Sequence, residues 1–333
     1  MTCARWYGPG DFRLEQREVR QPGPAEALVH VLANGVCGSD VHAVFGDLAL
    51  WEPPLTLGHE GVGVVEEIGE RVHNACTGDL VAVAPSTSCG SCFHCREGEE
   101  LLCLRRVVHD GMLADYCTVP DAALFPLPKG IGWQAGIFAE PLSSALHAVT
   151  LANVRQGEWL AVIGGGPMGL LITQLGRLAG ARVVVSETQR ERRALALQLG
   201  ADAAIDPVKG FLDQVRDLTG GLGADRVIEA VGTARAVQDA ISAARRGGTV
   251  VIMGVADRDA EVPLRPYELY LRQLTLRGSF IRQFDFQRAV RLLPRLQLEL
   301  LVTDEFPLAQ TFEALKHVRE RRGIKTVVRP ERL

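Results

Sequence analysis

Between Trp159 and Glu187 the chain reads as an apolar strand, a glycine turn, a helix and a second strand that ends on an acidic residue. The turn, Gly164-Gly165-Gly166-Pro167-Met168-Gly169, fits G-x-G-x-x-G and sits between the strand Trp159–Ile163 and a helix beginning near Met168. Such a turn brings backbone N–H groups and the positive end of a helix against a pyrophosphate. Glu187 lies 21 residues beyond Gly166, where a carboxylate holds both ribose hydroxyls of NAD. The glycine pattern alone is weak evidence. Strand, helix and acid together make it a dinucleotide-binding unit of Rossmann type.

The surrounding pattern fits that unit. From Trp159 onward, β-branched runs (Trp159–Ile163, Ala181–Ser186, Arg226–Glu229, Thr249–Gly254, Thr275–Phe280) alternate with helical segments (Glu191–Leu199, Phe211–Leu218, Ala234–Ala244). That alternation predicts an α/β fold, a doubly wound parallel sheet with helices on both faces. The texture changes near Leu142. Before it, short strands (27–32, 61–68 and 79–84 the clearest) are separated by Gly, Pro and Asp, the pattern of an irregular β domain. After Phe280 come a helix over Phe284–Leu296, a strand near Leu301, a helix over Leu308–Glu320 and a last strand, Lys325–Val328. A chain of 333 residues is longer than one core usually carries, which agrees with two domains.

Cys89, Cys92, Cys95 and Cys103 are spaced C-x2-C-x2-C-x7-C. Four soft ligands satisfy a tetrahedral Zn²⁺ and leave no open position, so the cluster reads as a structural zinc lobe. Four cysteines can also hold an iron–sulfur cluster. A second set has a different character. Cys37, in Gly35-Val36-Cys37-Gly38-Ser39-Asp40-Val41-His42, is followed by Gly58-His59-Glu60 and, far downstream, by Ala139-Glu140-Pro141. A thiolate, an imidazole and a carboxylate suit a zinc that keeps one position for substrate. Singly, Cys37 reads as core filler, His59 as a satisfied buried histidine and Glu60 as a surface charge. Beside a dinucleotide site the joint reading is catalytic.

Composition narrows the partners. The net charge of −4 shows no basic excess, which argues against nucleic acid and anionic membrane as partners. The most apolar stretch, Leu160 to Leu178, is broken by glycines, a proline and Arg177, so no membrane span is expected. The first 19 residues are polar and unlike a signal peptide, which points to the cytoplasm, where clustered cysteines mean metal more often than disulfide. Positive charge is nearly all arginine, with lysine only at Lys129, Lys209, Lys316 and Lys325.

These segments together resemble the zinc-containing medium-chain dehydrogenases, in the branch of sorbitol, butanediol and threonine dehydrogenases. The resemblance rests on the Cys37 segment, Gly58-His59-Glu60, the four-cysteine lobe, Glu140-Pro141-Leu142, the glycine loop and Arg277-Gly278-Ser279-Phe280. It implies a Rossmann NAD-binding domain over residues 142–280, inserted into a discontinuous, β-rich, GroES-like catalytic domain of residues 1–141 and 281–333. It implies two zincs per chain and a catalytic zinc bound by Cys37 and His59, with Glu60 or Glu140 completing the set directly or through water. Gly164, Gly166, Pro167, Met168 and Gly169 would wrap the pyrophosphate, Glu187 would take the adenosine ribose, and Arg192 would lie along the adenine. Val231, Met253, Val255, Ser279 and Ile281 match positions lining the nicotinamide half. Ser39 and His42 match a relay that carries the alcohol proton to the ribose and then to water.

The expected activity is oxidation of a secondary alcohol or polyol to a ketone, with hydride passing to NAD. In the primary-alcohol branch a cysteine stands where this chain has Glu140. A primary-alcohol or aldehyde dehydrogenase is the enzymatic alternative, and a non-catalytic NAD-binding protein the other. Sorbitol dehydrogenases have a tyrosine where Ala43 stands and an arginine–tyrosine pair at Ile281 and Arg282, which argues against sorbitol itself. An apolar strand at 275–280 on the sheet edge predicts a homodimer or homotetramer, because such an edge needs a cover.

Overall fold

The computed structural model describes residues 1–46, 51–281 and 285–330. The chain divides into two compact units, Met1–Ser143 with Gln283–Leu333, and Ser144–Arg282. The sorbitol-type departure at Arg282 and the expected helix start at Phe284 lie outside the described residues.

In the second unit six strands form a parallel sheet. Their spatial order is Ala203–Ile205, Arg182–Ser186, Trp159–Ile163, Ala224–Glu229, Ala244–Ile252 and Thr275–Gly278. The order reverses direction beside Trp159–Ile163, the topological switch point at which such sheets open a crevice for ligand. Every residue of that strand is buried, as a strand covered on both faces requires. Its Trp159, Ala161 and Ile163 pack with Val184, Val227 and Val250 in one core.

Several sequence boundaries move. The edge strand ends at Gly278 rather than Phe280, and its inner neighbour runs Ala244–Ile252 rather than 249–254. The helix expected to end at Leu296 is Phe286–Leu292 followed by a 3-10 turn, Leu293–Arg295. Pro294 cannot donate the hydrogen bond that a continued α-helix needs. The helix expected over 308–320 opens with a 3-10 turn and becomes α-helical at Thr311–Arg319. The strand expected near Leu301 begins one residue later, at Val302–Pro307.

The first unit holds a seven-stranded sheet in which Glu26–Gly35 is central. It pairs antiparallel with Glu60–Ile68 on one side and with Lys325–Arg329 on the other. The register sets Glu60 and Val327 on opposite flanks of Gly35. A smaller sheet of Asp11–Gln16, Thr2–Gly8 and Leu55–Thr56 covers a core of Ala4, Trp6, Val36, Val41, Val44, Leu57, Leu113 and Leu315. Among the described residues, no helix is long and apolar enough to cross a membrane.

Candidate active site and metal centres

Cys37, His59 and Glu60 place a thiol, an imidazole and a carboxylate within 4.8 Å of one another. Cys37 caps the helix Gly38–Phe45, and Glu60 opens the strand Glu60–Ile68 directly after His59. Asp40, in the first helical turn, accepts the Cys37 N–H at 3.1 Å and lies 3.3 Å from His59 Nδ1. With Nδ1 turned to that fully buried carboxylate, Nε2 remains as the ligand atom of the imidazole. Ser39 Oγ stands 3.3 Å from Nε2. Burial alone would lower the His59 pKa, but the charges of Asp40 and Cys37 outweigh it and hold it well above the ordinary histidine value. A pocket that concentrates negative charge on an imidazole favours a cation there, and its S, N and O donors match zinc.

Glu60 has a partner from the far end of the chain. Lys325 Nζ donates to its two oxygens at 2.6 and 2.8 Å, and both side chains are buried. Burial pushes the ammonium pKa down, but the charges of Glu60 and Cys37 reverse that and leave it raised. Gly35 makes the approach possible, because a Cβ there would lie 2.2 Å from Glu60 Oε2. Glu140, half-buried in the first turn of the helix Ala139–Ala152, is outside the 4.8 Å set, although its charge is felt at Lys325. His42 is half-buried on the same helix as Ser39.

The four cysteines of the lobe also converge. Cys92 Sγ is 3.5 Å from Cys95 Sγ and 3.9 Å from Cys103 Sγ, and Cys89 Sγ is 4.0 Å from Cys95 Sγ. A tetrahedron with Zn–S bonds of about 2.3 Å has edges of about 3.8 Å. Sulfurs this close surround one ion and leave no room for several irons. The backbone N–H groups of Cys89 and Arg105 point at Cys103 Sγ, at 3.3 and 3.4 Å. The Ser91 backbone N–H leads a set of donors that lowers Cys89 to about 5, whereas burial first and the neighbouring thiols next raise Cys95 to about 11.

In the other unit, Gly166 caps the helix Pro167–Leu178, with Pro167 at its first position. Gly169 lets the helix close on the turn, since a Cβ there would lie 1.8 Å from the Gly164 carbonyl oxygen. Glu187 is buried; its Oε2 accepts the Gly165 N–H at 2.8 Å, and its Oε1 accepts from Gln189 N and Thr188 Oγ1 at 2.8 and 3.0 Å. Arg192 Nη1 would be 3.9 Å from a Cβ on Gly166. Val231, Met253, Val255, Ser279 and Ile281 all follow the C-terminal ends of sheet strands, on the same edge as the glycine turn.

Residues 23–129 match the family described as alcohol dehydrogenase GroES-like domain, and residues 167–295 match zinc-binding dehydrogenase. L-galactonate-5-dehydrogenase of Escherichia coli is 33% identical, the alignment covering 92% of each chain. The chain belongs to the zinc-binding medium-chain dehydrogenases. Within that family it falls in the polyol-dehydrogenase branch, and D-xylulose reductase A of Aspergillus oryzae is 32% identical over 95% of this chain and 93% of its own. A protein described as a zinc-binding dehydrogenase from Sinorhizobium meliloti, solved with NADP, superposes with a TM-score of 0.94 at 34% identity, covering 99% of both chains.

As a medium-chain dehydrogenase the protein is an oxidoreductase with zinc and a nicotinamide dinucleotide as cofactors. Three residues of its site escaped sequence reasoning. Asp40 carried a usable signal, an acid three residues after a helix cap. Trp51, whose ring centroid is 5.4 Å from that of His59, stood in a loop with no periodicity. Lys325 had one faint mark, as one of only four lysines in a chain whose positive charge is otherwise arginine.

Proposed function

We propose that this dehydrogenase oxidises a secondary alcohol or polyol to a ketone and passes the hydride to NAD. The observation that carries the reading is the convergence of Cys37, His59 and Glu60 around one point, with Asp40 behind the imidazole. Zinc in that set supplies a Lewis acid that lowers the pKa of a substrate hydroxyl, and the nicotinamide supplies the hydride acceptor. Cys37 and His59 would hold the metal, with Glu60 or Glu140 completing the set directly or through water, and Asp40 would fix the His59 ring. Ser39, beside His59 Nε2, takes the hydroxyl proton, and His42 passes it on to water. The compounds in the names of the E. coli and A. oryzae relatives are a polyhydroxylated acid and a ketose, in keeping with a polyol-like secondary-alcohol substrate and with Glu140 in place of a cysteine.

The catalytic domain is assigned to residues 1–141 and 281–333, the NAD domain to 142–280, and Gly164, Gly166, Pro167, Met168 and Gly169 to the pyrophosphate. Arg192 is assigned to the adenine, and Val231, Met253, Val255, Ser279 and Ile281 to the nicotinamide half. NAD is preferred over NADP because the Glu187 carboxylate opposes a 2′-phosphate. A homodimer or homotetramer is proposed from the edge strand Thr275–Gly278, near which Tyr267, Tyr270 and Phe280 are exposed. A cytoplasmic location is proposed from the four-cysteine cluster, a metal-type arrangement suited to a compartment where thiols stay reduced.

The test is NADH absorbance with diols, polyols, threonine and primary alcohols. Secondary alcohols or polyols should exceed primary ones by about 100-fold in kcat/KM. Equal turnover of primary alcohols would replace the reading with the primary-alcohol one. No turnover of any alcohol by zinc-loaded protein that binds NADH would leave a non-catalytic NAD-binding protein.

A further inference from the structure

Glu229 is a fully buried carboxylate that the proposed mechanism leaves without a task. It is the last residue of a central strand, paired with Ile163 on one side and Ile252 on the other. Its side chain bends forward into the turn that follows: Oε1 accepts the N–H groups of Val231 and Gly232, each at 2.7 Å. Its backbone carbonyl reaches the neighbouring strand end and accepts from Met253 N and Gly254 N at 2.9 and 3.0 Å. One residue therefore ties two loop ends together by four hydrogen bonds.

The packing around it leaves little freedom. A Cβ on Gly254 would lie 2.1 Å from Gly232 N and 2.7 Å from Glu229 Oε2. Val231 Cγ2 would be 2.8 Å from a Cβ on Gly164, so the same turn leans on the first glycine of the dinucleotide loop. At the mouth of this arrangement the side chains of Val231 and Val255 are 44% and 57% exposed, an apolar rim at the edge where a parallel sheet binds ligand. Oε2 is buried with no hydrogen-bond partner, and burial raises the carboxyl pKa although the N–H groups of Gly232, Val231 and Gly254 oppose it. Burying a carboxylate here is costly, and the return is a fixed geometry for both loops.

We propose that Glu229 is a positioning residue of the nicotinamide half of the cofactor site, bracing the turn that carries Val231 against the strand end that carries Met253 and Val255. The inference rests on the assignment of those three residues to the nicotinamide half. Glu229 does not touch the cofactor in this account. It sets the rim against which the ring lies, so its loss should be felt by ligands that contain the nicotinamide and not by those that lack it.

The experiment compares NADH with ADP-ribose, which has the adenosine and both phosphates but no nicotinamide. Dissociation constants are measured on the full zinc-loaded chain by fluorescence and calorimetry. Glu229→Gln keeps an acceptor for Val231 and Gly232 but turns an amide donor toward Gly254. It should weaken NADH about tenfold, the equivalent of one decade in Kd, and leave ADP-ribose within about twofold. Equal weakening of both ligands would reduce Glu229 to a general structural residue, and no weakening of either would also overturn the proposal.

Val255→Ala tests the underlying assignment separately. A selective loss of NADH supports it, and an unchanged NADH affinity removes Val255 from the nicotinamide half whatever Glu229→Gln does. A measurement on the unaltered protein stands if Glu229→Gln does not fold. The amides of Val231 and Gly232 should exchange slowly with solvent both free and with ADP-ribose bound, and rapid exchange in the free protein would mean that the brace does not exist.

Discussion

Lys325 and Glu60 form a buried ion pair across a sequence separation of 265 residues, with the ammonium 2.6 and 2.8 Å from the two carboxylate oxygens. The pair is formed across Gly35, whose lack of a side chain opens the path between strands that flank it. Removing one member of a buried pair strands the other charge, at a cost of about 3–5 kcal/mol. Lys325→Met should therefore destabilise the metal-free protein by roughly that amount. Zinc beside Glu60 offers a replacement positive charge, so the loss should be smaller in the zinc-loaded protein. Urea unfolding with and without chelator reads the difference, and an equal loss in both states would show that Glu60 is electrostatically remote from the metal.

Zinc stoichiometry separates the two centres. Metal analysis of purified protein should give about two zincs per chain from two independent ligand sets. Cys92→Ser should lower that to about one and reduce the melting temperature, while alcohol oxidation by the protein that stays folded is retained. A value near one for the unaltered protein, with no change in Cys92→Ser, would remove the lobe as a metal centre.

The assignment of Glu187 to the adenosine ribose makes it the residue expected to decide between NAD and NADP. Three of the four lone-pair sites of its carboxylate are already engaged by Gly165, Thr188 and Gln189, so the group is held rigidly where it stands. A 2′-phosphate brought there meets a like charge. Glu187→Ala should lower kcat/KM for NAD by about tenfold or more and narrow the NAD-to-NADP ratio, because both a ribose acceptor and a repulsive charge are lost. Steady-state kinetics with both cofactors decides. An unchanged ratio would move discrimination to another residue.

Acid stability has an identifiable contributor in the cofactor unit. Arg226 donates to both oxygens of Glu158, at 2.9 and 2.8 Å, and that hydrogen bonding holds the Glu158 carboxyl below its ordinary value of 4.5. A carboxyl whose folded-state pKa is lowered contributes stability that is present above the ordinary value and lost as pH falls through the lowered one. Glu158→Gln should cost about 1–2 kcal/mol at neutral pH, and the gap from the unaltered protein should close as pH drops below 4.5. Denaturant midpoints measured from pH 7 to pH 3 test this. A gap that stays constant over the range would exclude the charged pair as its source.

What was legible in the sequence was what is local. The glycine turn, its strand and Glu187 lie within one supersecondary unit, and four cysteines within fifteen residues must come together wherever the lobe goes. Cys37, His59 and Glu60 were legible only as a combination, because each has an ordinary role when taken alone. The depth of Glu60, 2% exposed where an isolated glutamate reads as surface, depends on a strand pairing that no local pattern contains. The strand Ala203–Ile205 was invisible because two of its three residues are alanines, and one β-branched residue, Ile205, is too little to make a run. The helix Pro266–Arg272 follows irregular chain and is too short for its period to stand out.

The pairing of Lys325–Arg329 with Glu26–Gly35 also has a consequence for biosynthesis. Cys37, His59 and Glu60 are synthesised before the dinucleotide unit and Lys325 after it, so the nascent chain carries Glu60 without its ion-pair partner while that unit is being made. The cofactor unit is contiguous and has its strands in hand before that moment; the other unit cannot close its central sheet until Lys325–Arg329 has been translated. Assembly of the Cys37, His59 and Glu60 set is thereby tied to synthesis of Lys325–Arg329, and a chain cut short before Lys325 would keep those three residues but lack the partner of Glu60.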